Sequence, residues 1–351
     1  MVRTVSISLV LLGIVVSGQP ASAQSLSFSL FERYLDAYRV EAGIPGMSAA
    51  IVQDGAVVWE AYLGRQDVEA AIPTSPLTPY PIGPLSQIFG STMLLRKCMD
   101  ESYAELTDRV TRWTPLYSEP ATTLGQLLSH TAPIGGFHYA PERFADLTGV
   151  IEECADQKYS QLLADEIFDP FVMLDSVPGQ TFLTPGPDDA TLFGAARLDR
   201  YRATLRRVAV PYRMVNYRPV RNIDYRGRAV DTSDGIVTTV RDLANFDITL
   251  TYGFLLTPAT RNLAWTQTFA GLVPLPTGLG WFVQAYNGQP LVWQFGLIND
   301  AYSSLIIKVP NRGLTFIVLA NSDGLSAPFT LSAGDVTASS FARLFLRSFV
   351  P

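Results

Sequence analysis

Apolar positions near the start of the chain predict a helix followed by a hairpin. Over residues 26–41, large side chains recur at helical spacing, at Phe31, Tyr34, Leu35 and Tyr38. Two runs of apolar and β-branched residues follow at 47–53 and 56–63. The pair Asp54-Gly55 joins them, and such a pair between two apolar runs is typical of a tight hairpin turn. We therefore predict that the two runs pair as antiparallel strands.

The rest of the pattern predicts a long helical segment and then a second group of strands. Residues 72–84 contain five prolines and are expected to form a loop. From 86 to about 250 the apolar spacing is mostly helical. Four strands are expected after it, at 279–286, 290–295, 301–308 and 314–320. A closing helix is expected at about 335–349, with Asp335 as its cap.

The order of these elements predicts an α+β fold with one antiparallel sheet. We expect both terminal helices to cover the sheet and the long helical segment to be an insertion into it. The sheet subdomain would be discontinuous, built from 24–83 and 251–351, and the mainly helical subdomain would span 84–250. A length of 351 residues suits one large domain or two interleaved ones.

The first 23 residues have the features of a cleavable export signal. A short start with Arg3 precedes an apolar run over 5–16, and the small residues of 21–23 follow. This order predicts cleavage after Ala23 and a periplasmic or secreted protein. The apolar run is shorter than a bilayer crossing needs, so we expect no membrane span in the mature chain.

Composition restricts both the partners and the chemistry. The formal net charge of −6 gives no reason to expect nucleic-acid binding. With 3 lysines and 2 histidines the chain has few positions for a catalytic base, since arginine stays protonated. Cys98 and Cys154 lack metal-site or nucleophile spacing, and we predict no metal and no cofactor. Whether the two cysteines form a disulfide stays open.

Four segments of the chain together resemble a known family. They are GIPGMSAAIVQDGAVVWEAYLGRQDVEAAIP, LLSHT, DGIVTTVRDLANF, and GLGWFV followed by GLINDAYSSLIIKVPNRGLTFIVLAN. From about 30 to 348 they resemble serine β-lactamases of class C and the related penicillin-binding esterases and D-amino-acid peptidases. The resemblance implies a five-stranded antiparallel sheet flanked by the terminal helices. It also implies a serine hydrolase site made of three motifs: Ser-x-x-Lys, Tyr-x-Asn, and Lys- or His-x-Gly on a strand.

The first of these motifs has lost both of its reactive residues. It falls at Pro84-Leu85-Ser86-Gln87, so that proline replaces the serine and glutamine replaces the lysine. Gln87 cannot accept a proton at neutral pH, and Pro84 lacks the N–H that would help to form the oxyanion hole. Ser86 is not expected to take over as nucleophile, because two helical positions rotate a side chain by about 200°.

The other two motifs are also incomplete. Tyr139 matches the family tyrosine, but Pro141 replaces the asparagine, and Gln294 replaces the Lys or His that precedes Gly296 by two residues. Gly296 either lets a ligand approach the strand or is needed for packing. The next amide, at Leu297, would be the remaining oxyanion donor. We predict no catalytic residue, and the ligand-binding candidates are Tyr139, Gln294, Gly296 and Leu297.

The losses predict an exported, catalytically inactive relative that binds a small or peptide-like ligand or an envelope partner. The alternative is an active hydrolase or other enzyme with a non-standard set of residues in the same cleft, such as Asp231 or Asp234 with Tyr139. A third hypothesis is a structural partner of an active paralogue. His130, in LLSHT, is expected to be a hydrogen-bonded turn residue and not a base.

Ten arginines lie within residues 197–228, and two interpretations of them stay open. They are Arg197, Arg200, Arg202, Arg206, Arg207, Arg213, Arg218, Arg221, Arg226 and Arg228. They would either form a solvated helix and loop or bind an anionic envelope partner, such as a cell-wall polymer, lipid headgroups or a carboxylate ligand. In the expected fold this stretch would lie at the rim of the former active-site cleft.

Overall fold

A computed structural model describes residues 21–133, 135–216 and 218–351, with side chains from residue 26 onwards. Ten α-helices lie in these ranges: α1 (Ala21–Glu41), α2 (Gln87–Leu94), α3 (Leu124–Leu128), α4 (Leu147–Ala155), α5 (Tyr159–Leu162), α6 (Asp189–Phe193), α7 (Ala195–Leu205), α8 (Val240–Thr251), α9 (Pro258–Ala264) and α10 (Ser340–Phe349). The predicted signal segment lies, up to residue 20, outside the described residues. Within them, no helix combines the length and apolar character that a bilayer crossing requires.

Thirteen strands lie in the same ranges. They are β1 (Gly46–Gln53), β2 (Ala56–Asp67), β3 (Ile72–Pro73), β4 (Tyr80–Pro81), β5 (Tyr212–Val215), β6 (Arg218–Arg221), β7 (Val237–Thr238), β8 (Phe269–Ala270), β9 (Val273–Pro274), β10 (Phe282–Tyr286), β11 (Gln289–Ile298), β12 (Tyr302–Val309) and β13 (Leu314–Ala320). Seven of them form one sheet in the order β10-β11-β12-β13-β1-β2-β3, and the other six form three two-stranded ribbons. The pairing of β13 with β1 therefore joins the two ends of the chain.

The predicted hairpin and meander are confirmed, and the antiparallel sheet is wider than expected. Asp54 and Gly55 have φ values of 49° and 81°, and a two-residue turn between β1 and β2 needs such left-handed backbone at both positions. The resemblance implied five strands. The structure has seven, because the meander supplies four strands and the short β3 pairs with the end of β2 at the sheet edge.

Both faces of the sheet are covered, as predicted. Successive residues of a strand point to opposite faces, so Ala49 and Ile51 of β1 join the core beneath the terminal helices, whereas Ala50 and Val52 join the core beneath the helical segment. Under the terminal helices, the ring of Phe316 contacts aromatic side chains of both α1 and α10. Phe316 of β13 meets Phe31 of α1 edge-on at 5.6 Å and stacks on Phe345 of α10 at 5.0 Å.

The closing helix begins later than the sequence predicted, and Asp335 does not cap it. The Asp335 carboxylate accepts a hydrogen bond from the Thr337 N–H at 2.9 Å and so caps a 3₁₀ turn over Val336–Ala338. The backbone at Ser339 is then extended, which separates this turn from α10. Ser339 is the true N-cap, because its hydroxyl accepts a hydrogen bond from the Ala342 N–H at 3.3 Å.

Aromatic packing and one covalent link join the helices of the helical segment to one another. Phe89 of α2 stacks on Phe246 of α8 with ring centroids 4.0 Å apart. Cys98, four residues after α2, forms a disulfide with Cys154 of α4, and their Cα atoms are 5.5 Å apart. The pairing that the sequence left open is therefore present. These contacts join α2 to α8 and the segment after α2 to α4, and α8 in turn packs against β1 and β13 of the sheet.

Candidate functional site

A cleft of about 470 Å³ opens where the helical segment meets the end of strand β11. Its walls are formed by Pro81, the turn over Gly83–Ser86 before α2, the turn that begins at Pro141, Gln180, a loop over 225–235, and residues 297–299 at the end of β11. The residues that matter for its chemistry are Pro84, Pro141, Tyr225, Arg228, Asp234 and Leu297. Two former motif positions therefore line the cleft, and both are prolines.

The first motif lies at the start of a helix and lacks its reactive groups. Pro84 lies in a 3₁₀ turn over Gly83–Ser86 and faces the cleft, and Gln87 begins α2. Proline suits this position, since the first turn of a helix needs no N–H there. Ser86 is buried, and its Oγ accepts a hydrogen bond from the Ile236 N–H at 3.4 Å. The hydroxyl of Ser86 thus binds the backbone below the cleft.

Gln87, Gln294 and His130 form a buried hydrogen-bonded cluster. Gln87 Oε1 accepts from Gln294 Nε2 at 3.2 Å and lies 3.2 Å from His130 Nε2. Gln294 also donates to the Gly280 carbonyl at 3.1 Å and accepts from the Phe295 N–H at 2.9 Å. The structure therefore brings the first and third motifs into direct contact, as the family resemblance implies, although the sequence separates them by about 200 residues.

The chemistry of this cluster is neutral. A carboxamide neither accepts nor releases a proton near pH 7, so neither Gln87 nor Gln294 can act as a base. Burial lowers the pKa of His130 to about 3, which leaves its imidazole neutral. Gln294 donates to the Gln87 side-chain oxygen, and both glutamines are inaccessible to solvent. The cluster fills the place where the family has two cationic groups.

Tyr139 is held in an aromatic cluster. Its ring lies 5.4 Å from Phe282 and 5.3 Å from Phe295, and 4.8 Å from the His130 ring. Its hydroxyl is buried and has no hydrogen-bond partner among the described residues. Burial raises the pKa of Tyr139 far above its ordinary value, so the phenol stays protonated. This environment gives Tyr139 no means to accept a proton.

Gly296 is required by the close packing of β11. A Cβ atom at this position would lie 1.9 Å from the Ile82 carbonyl oxygen and 2.4 Å from Ser304 Oγ. The absence of a side chain therefore lets the segment before α2 approach the strand, which favours the packing interpretation. Leu297, the next residue, does line the cleft. Of the four predicted ligand-binding candidates, Gln294 and Gly296 are buried, Tyr139 packs in the aromatic cluster, and Leu297 reaches the cleft wall.

Most of the polar groups that reach the cleft come from the loop over 225–235, and Glu142, Gln180 and Asn299 supply the others. Tyr225 donates to Gln180 Oε1 at 2.5 Å, and Asp234 lies 3.6 Å from Arg228. Burial raises the pKa of Asp234. The proposed combination of Asp231 or Asp234 with Tyr139 is not assembled in the described residues, because Tyr225 is the tyrosine beside Asp234. The only signal for Tyr225 in the sequence was its position within the arginine-rich stretch.

Removal of the buried histidine should change how stability depends on pH. The folded pKa of His130 is about 3 and the ordinary value is 6.5, so the unfolded chain binds this proton first as the pH falls. Stability from this group is present above pH 6.5 and is lost towards pH 3, at up to about 1.4 kcal/mol per pH unit. Asparagine suits the left-handed backbone at this position (φ 55°). The His130→Asn variant should therefore lose less stability than the wild type as the pH falls.

Urea unfolding of both proteins at several pH values between about 3 and 7 measures this slope. The comparison must be between variant and wild type, because Asp242 acts in the opposite direction. Burial raises the pKa of Asp242 to about 7, so stability from that carboxyl is lost as the pH rises. Parallel pH profiles for the two proteins would contradict a buried neutral His130.

Comparison with known proteins agrees with this geometry. The family model described as Beta-lactamase matches residues 31–335. "Protein flp" of Staphylococcus aureus (strain MW2) is 24% identical over 330 residues, covering 81% of this chain and 61% of that protein. The chain thus spans about three-fifths of the length of this relative.

Solved structures of other proteins share the fold. The octameric penicillin-binding protein homologue from Pyrococcus abyssi has a TM-score of 0.70 at 20% identity, over 88% of this chain and 76% of its own. D-amino acid amidase from Ochrobactrum anthropi SV3, complexed with L-phenylalanine amide, has a TM-score of 0.69 at 17% identity, over 91% and 98%. With the antiparallel sheet, the helical insertion and the three motif positions in place, this chain belongs to the beta-lactamase family.

Proposed function

We propose that this protein is an exported member of the family that does not acylate a serine and that binds a small or peptide-like ligand in its cleft. One observation carries the proposal: Gln87 and Gln294 hydrogen-bond to each other where the family has ionisable groups, beneath a proline at the nucleophile position. A nucleophile, its base and one oxyanion amide are lost together. The scaffold around them is intact, which supports a binding role.

Two features support export. The first 23 residues have the order of charged, apolar and small residues that signal peptidases recognise. The Cys98–Cys154 disulfide is of a kind that persists in oxidising compartments and is rare in the cytosol of mesophiles. Mass spectrometry of the protein recovered from culture medium or periplasm would test the proposed cleavage after Ala23. A mature chain that still begins at Met1 would contradict it.

The walls of the cleft suit a ligand that carries both apolar and charged groups. Pro84, Pro141 and Leu297 supply apolar surface, Glu142 supplies an acid without an ion-pair partner among the described residues, and Arg228 supplies a cation. An amino-acid amide or short peptide has matching groups. The amidase relative, whose structure contains L-phenylalanine amide, is consistent with a ligand of this class.

Two measurements test the proposal: covalent labelling by a penicillin and binding of a small ligand. Incubation with a fluorescent penicillin should leave the wild-type protein unlabelled, because no residue can supply and activate the nucleophile; stoichiometric labelling would refute the proposal. Titration calorimetry with D- and L-phenylalanine amide should detect binding. Leu297→Trp should abolish it by filling the cleft, whereas Leu272→Trp, at a fully exposed loop position, should not.

One observation favours a second function, an enzyme with non-standard chemistry. Ser233, Asp234 and Tyr225 all line the same cleft, and the raised pKa of Asp234 is of a kind found in catalytic acids. However, Ser233 Oγ donates to Asp231 Oδ1 at 2.6 Å in a local turn, which directs the hydroxyl to its own loop. Hydrolysis of a chromogenic ester that disappears in Asp234→Asn would establish this second function and exclude the first.

A further inference from the structure

The arginine-rich stretch divides into two parts with different environments. In and just after α7, four arginines pair with acidic residues: Arg197 with Asp165 and Asp169, Arg200 with Asp169, Arg202 with Asp199, and Arg207 with Asp175. The pair of Arg202 with Asp199 lies within α7, and the other pairs tie α7 and the residues just after it to the segment over 165–175. Four of the five arginines in this part are therefore neutralised within the molecule, and the fifth, Arg206, is exposed and has no ion-pair partner among the described residues.

The second part, residues 208–228, is not neutralised. It holds five arginines and a single acidic residue, Asp224, in a protein whose net charge is −6. All five arginines are exposed. Arg213, Arg218 and Arg221 have no hydrogen-bond or ion-pair partner for their guanidinium groups among the described residues. Arg226 binds carbonyls of its own loop, and Arg228 lies 3.6 Å from Asp234.

The hairpin β5–β6 presents two of these cations together with apolar side chains. Its register pairs Arg213 with Val220 and Val215 with Arg218, so these four side chains share one face. The opposite face carries Tyr212, which is fully buried, so the four-residue face is directed away from the core. Val215 and Val220 are 41% and 39% exposed on it. Ile223, just beyond the hairpin, is 74% exposed.

We propose that this face of the hairpin docks on an anionic lipid surface. Arginine guanidinium groups bind phosphate oxygens in a fork geometry, and an anionic leaflet attracts unpaired cations across about a Debye length. The exposed valines and Ile223 then enter the boundary between headgroups and acyl chains, where burial of apolar surface is favourable. The inference concerns the surface beside the cleft and does not depend on what the cleft binds.

The apolar residues distinguish a lipid surface from a soluble polyanion. A polymer of phosphates or carboxylates would be held by the arginines alone and would leave Val215, Val220 and Ile223 in water. Their exposure next to unpaired cations is a combination typical of surfaces that bind membranes peripherally. The paired arginines of α7 are not expected to contribute, because each would first have to leave a carboxylate.

Co-sedimentation of the full mature protein with vesicles tests the proposal. We expect binding to vesicles of phosphatidylglycerol mixed with phosphatidylcholine, weaker binding at high salt, and no binding to phosphatidylcholine alone. Arg213→Gln with Arg218→Gln should weaken binding about 25-fold, since each arginine at an anionic surface contributes about fivefold. Arg33→Gln with Arg347→Gln removes two exposed arginines from α1 and α10 that have no ion-pair partner among the described residues, and it should leave binding unchanged.

A second pair of variants identifies the partner. Val215→Ser with Val220→Ser keeps the charge and should weaken vesicle binding, but it should not change binding to soluble polyglutamate. Equal binding to charged and neutral vesicles would overturn the proposal, as would an unaffected Arg213→Gln/Arg218→Gln protein. If the serine variant bound vesicles as tightly as the wild type, the partner would be a soluble polyanion and the lipid proposal would be wrong.

Discussion

Pro84→Ser combined with Gln87→Lys is expected to make the protein react covalently with a fluorescent penicillin, at least about 100-fold faster than the wild type. The serine restores a hydroxyl on the cleft wall and the backbone N–H that proline lacks, and a lost oxyanion donor alone costs about 3 kcal/mol in the transition state. The lysine places an amine where Gln87 now donates to the Pro141 carbonyl at 3.4 Å. A positioned base of this kind contributes about 10²- to 10⁴-fold.

The single substitutions provide the matched controls. Pro84→Ser alone should remain unlabelled because its neighbours Gln87 and Gln294 cannot take the proton, and Gln87→Lys alone should remain unlabelled because no hydroxyl is present. Gel fluorescence after a fixed incubation measures all four proteins. Labelling of Pro84→Ser alone would show that another group in the cleft acts as a base. A folded but unreactive double variant would show that the cleft walls have changed as well as the motif.

Lys308→Met is expected to destabilise the protein by about 3–5 kcal/mol, because it leaves Asp247 as an unpaired buried charge. The ion pair between Lys308 on β12 and Asp247 on α8 is 2% exposed on both sides. The Lys308 ammonium also donates to Thr251 at 2.8 Å and Thr315 at 3.3 Å, which uses its three protons. Burial lowers the pKa of Lys308, and the nearby Asp247 carboxylate offsets part of this effect.

Urea unfolding of single and double variants isolates this pair. Lys308→Met with Asp247→Leu should recover most of the lost stability, since replacing both buried charges by apolar groups costs little. Arg112→Met is the surface control. The side chains of Arg112 and of its partner Asp108 are each more than a quarter exposed. Loss of such a surface ion pair lowers the free energy of unfolding by at most about 1 kcal/mol. A Lys308→Met protein within about 1 kcal/mol of the wild type would contradict a desolvated ion pair.

Local patterns predicted the sheet well and element boundaries less well. The Asp54-Gly55 turn is set by backbone conformations that these two residues adopt easily, so the hairpin follows from short-range sequence. The start of α10 depends on a competition between two caps, Asp335 and Ser339, four residues apart. Either residue suits an N-cap, and the packing of the turn between them decided which one begins the helix.

The sequence predicted which positions form the candidate site, but it did not predict the surroundings of their side chains. The motif positions Pro84, Gln87 and Gln294 were found because the family keeps their order along the chain. Which tyrosine reaches the cleft was not predictable, because Tyr139 and Tyr225 both lie in plausible loops. Tyr139 is drawn into the aromatic cluster with Phe282 and Phe295, and Tyr225 is held at the cleft by Gln180.

The sequence by itself determined the element order, the family and the loss of the ionisable groups, since these depend on residue identity and short-range spacing. Only the tertiary structure decided what replaced the lost groups. It placed Gln87 against Gln294, joined Cys98 to Cys154, and divided the arginines into a paired helix and an unpaired hairpin. The glutamine contact links the helical segment to the sheet, and the disulfide and the pair of Arg197 with Asp169 link separate parts of the helical segment. These partners are far apart in the chain, so their proximity depends on tertiary packing.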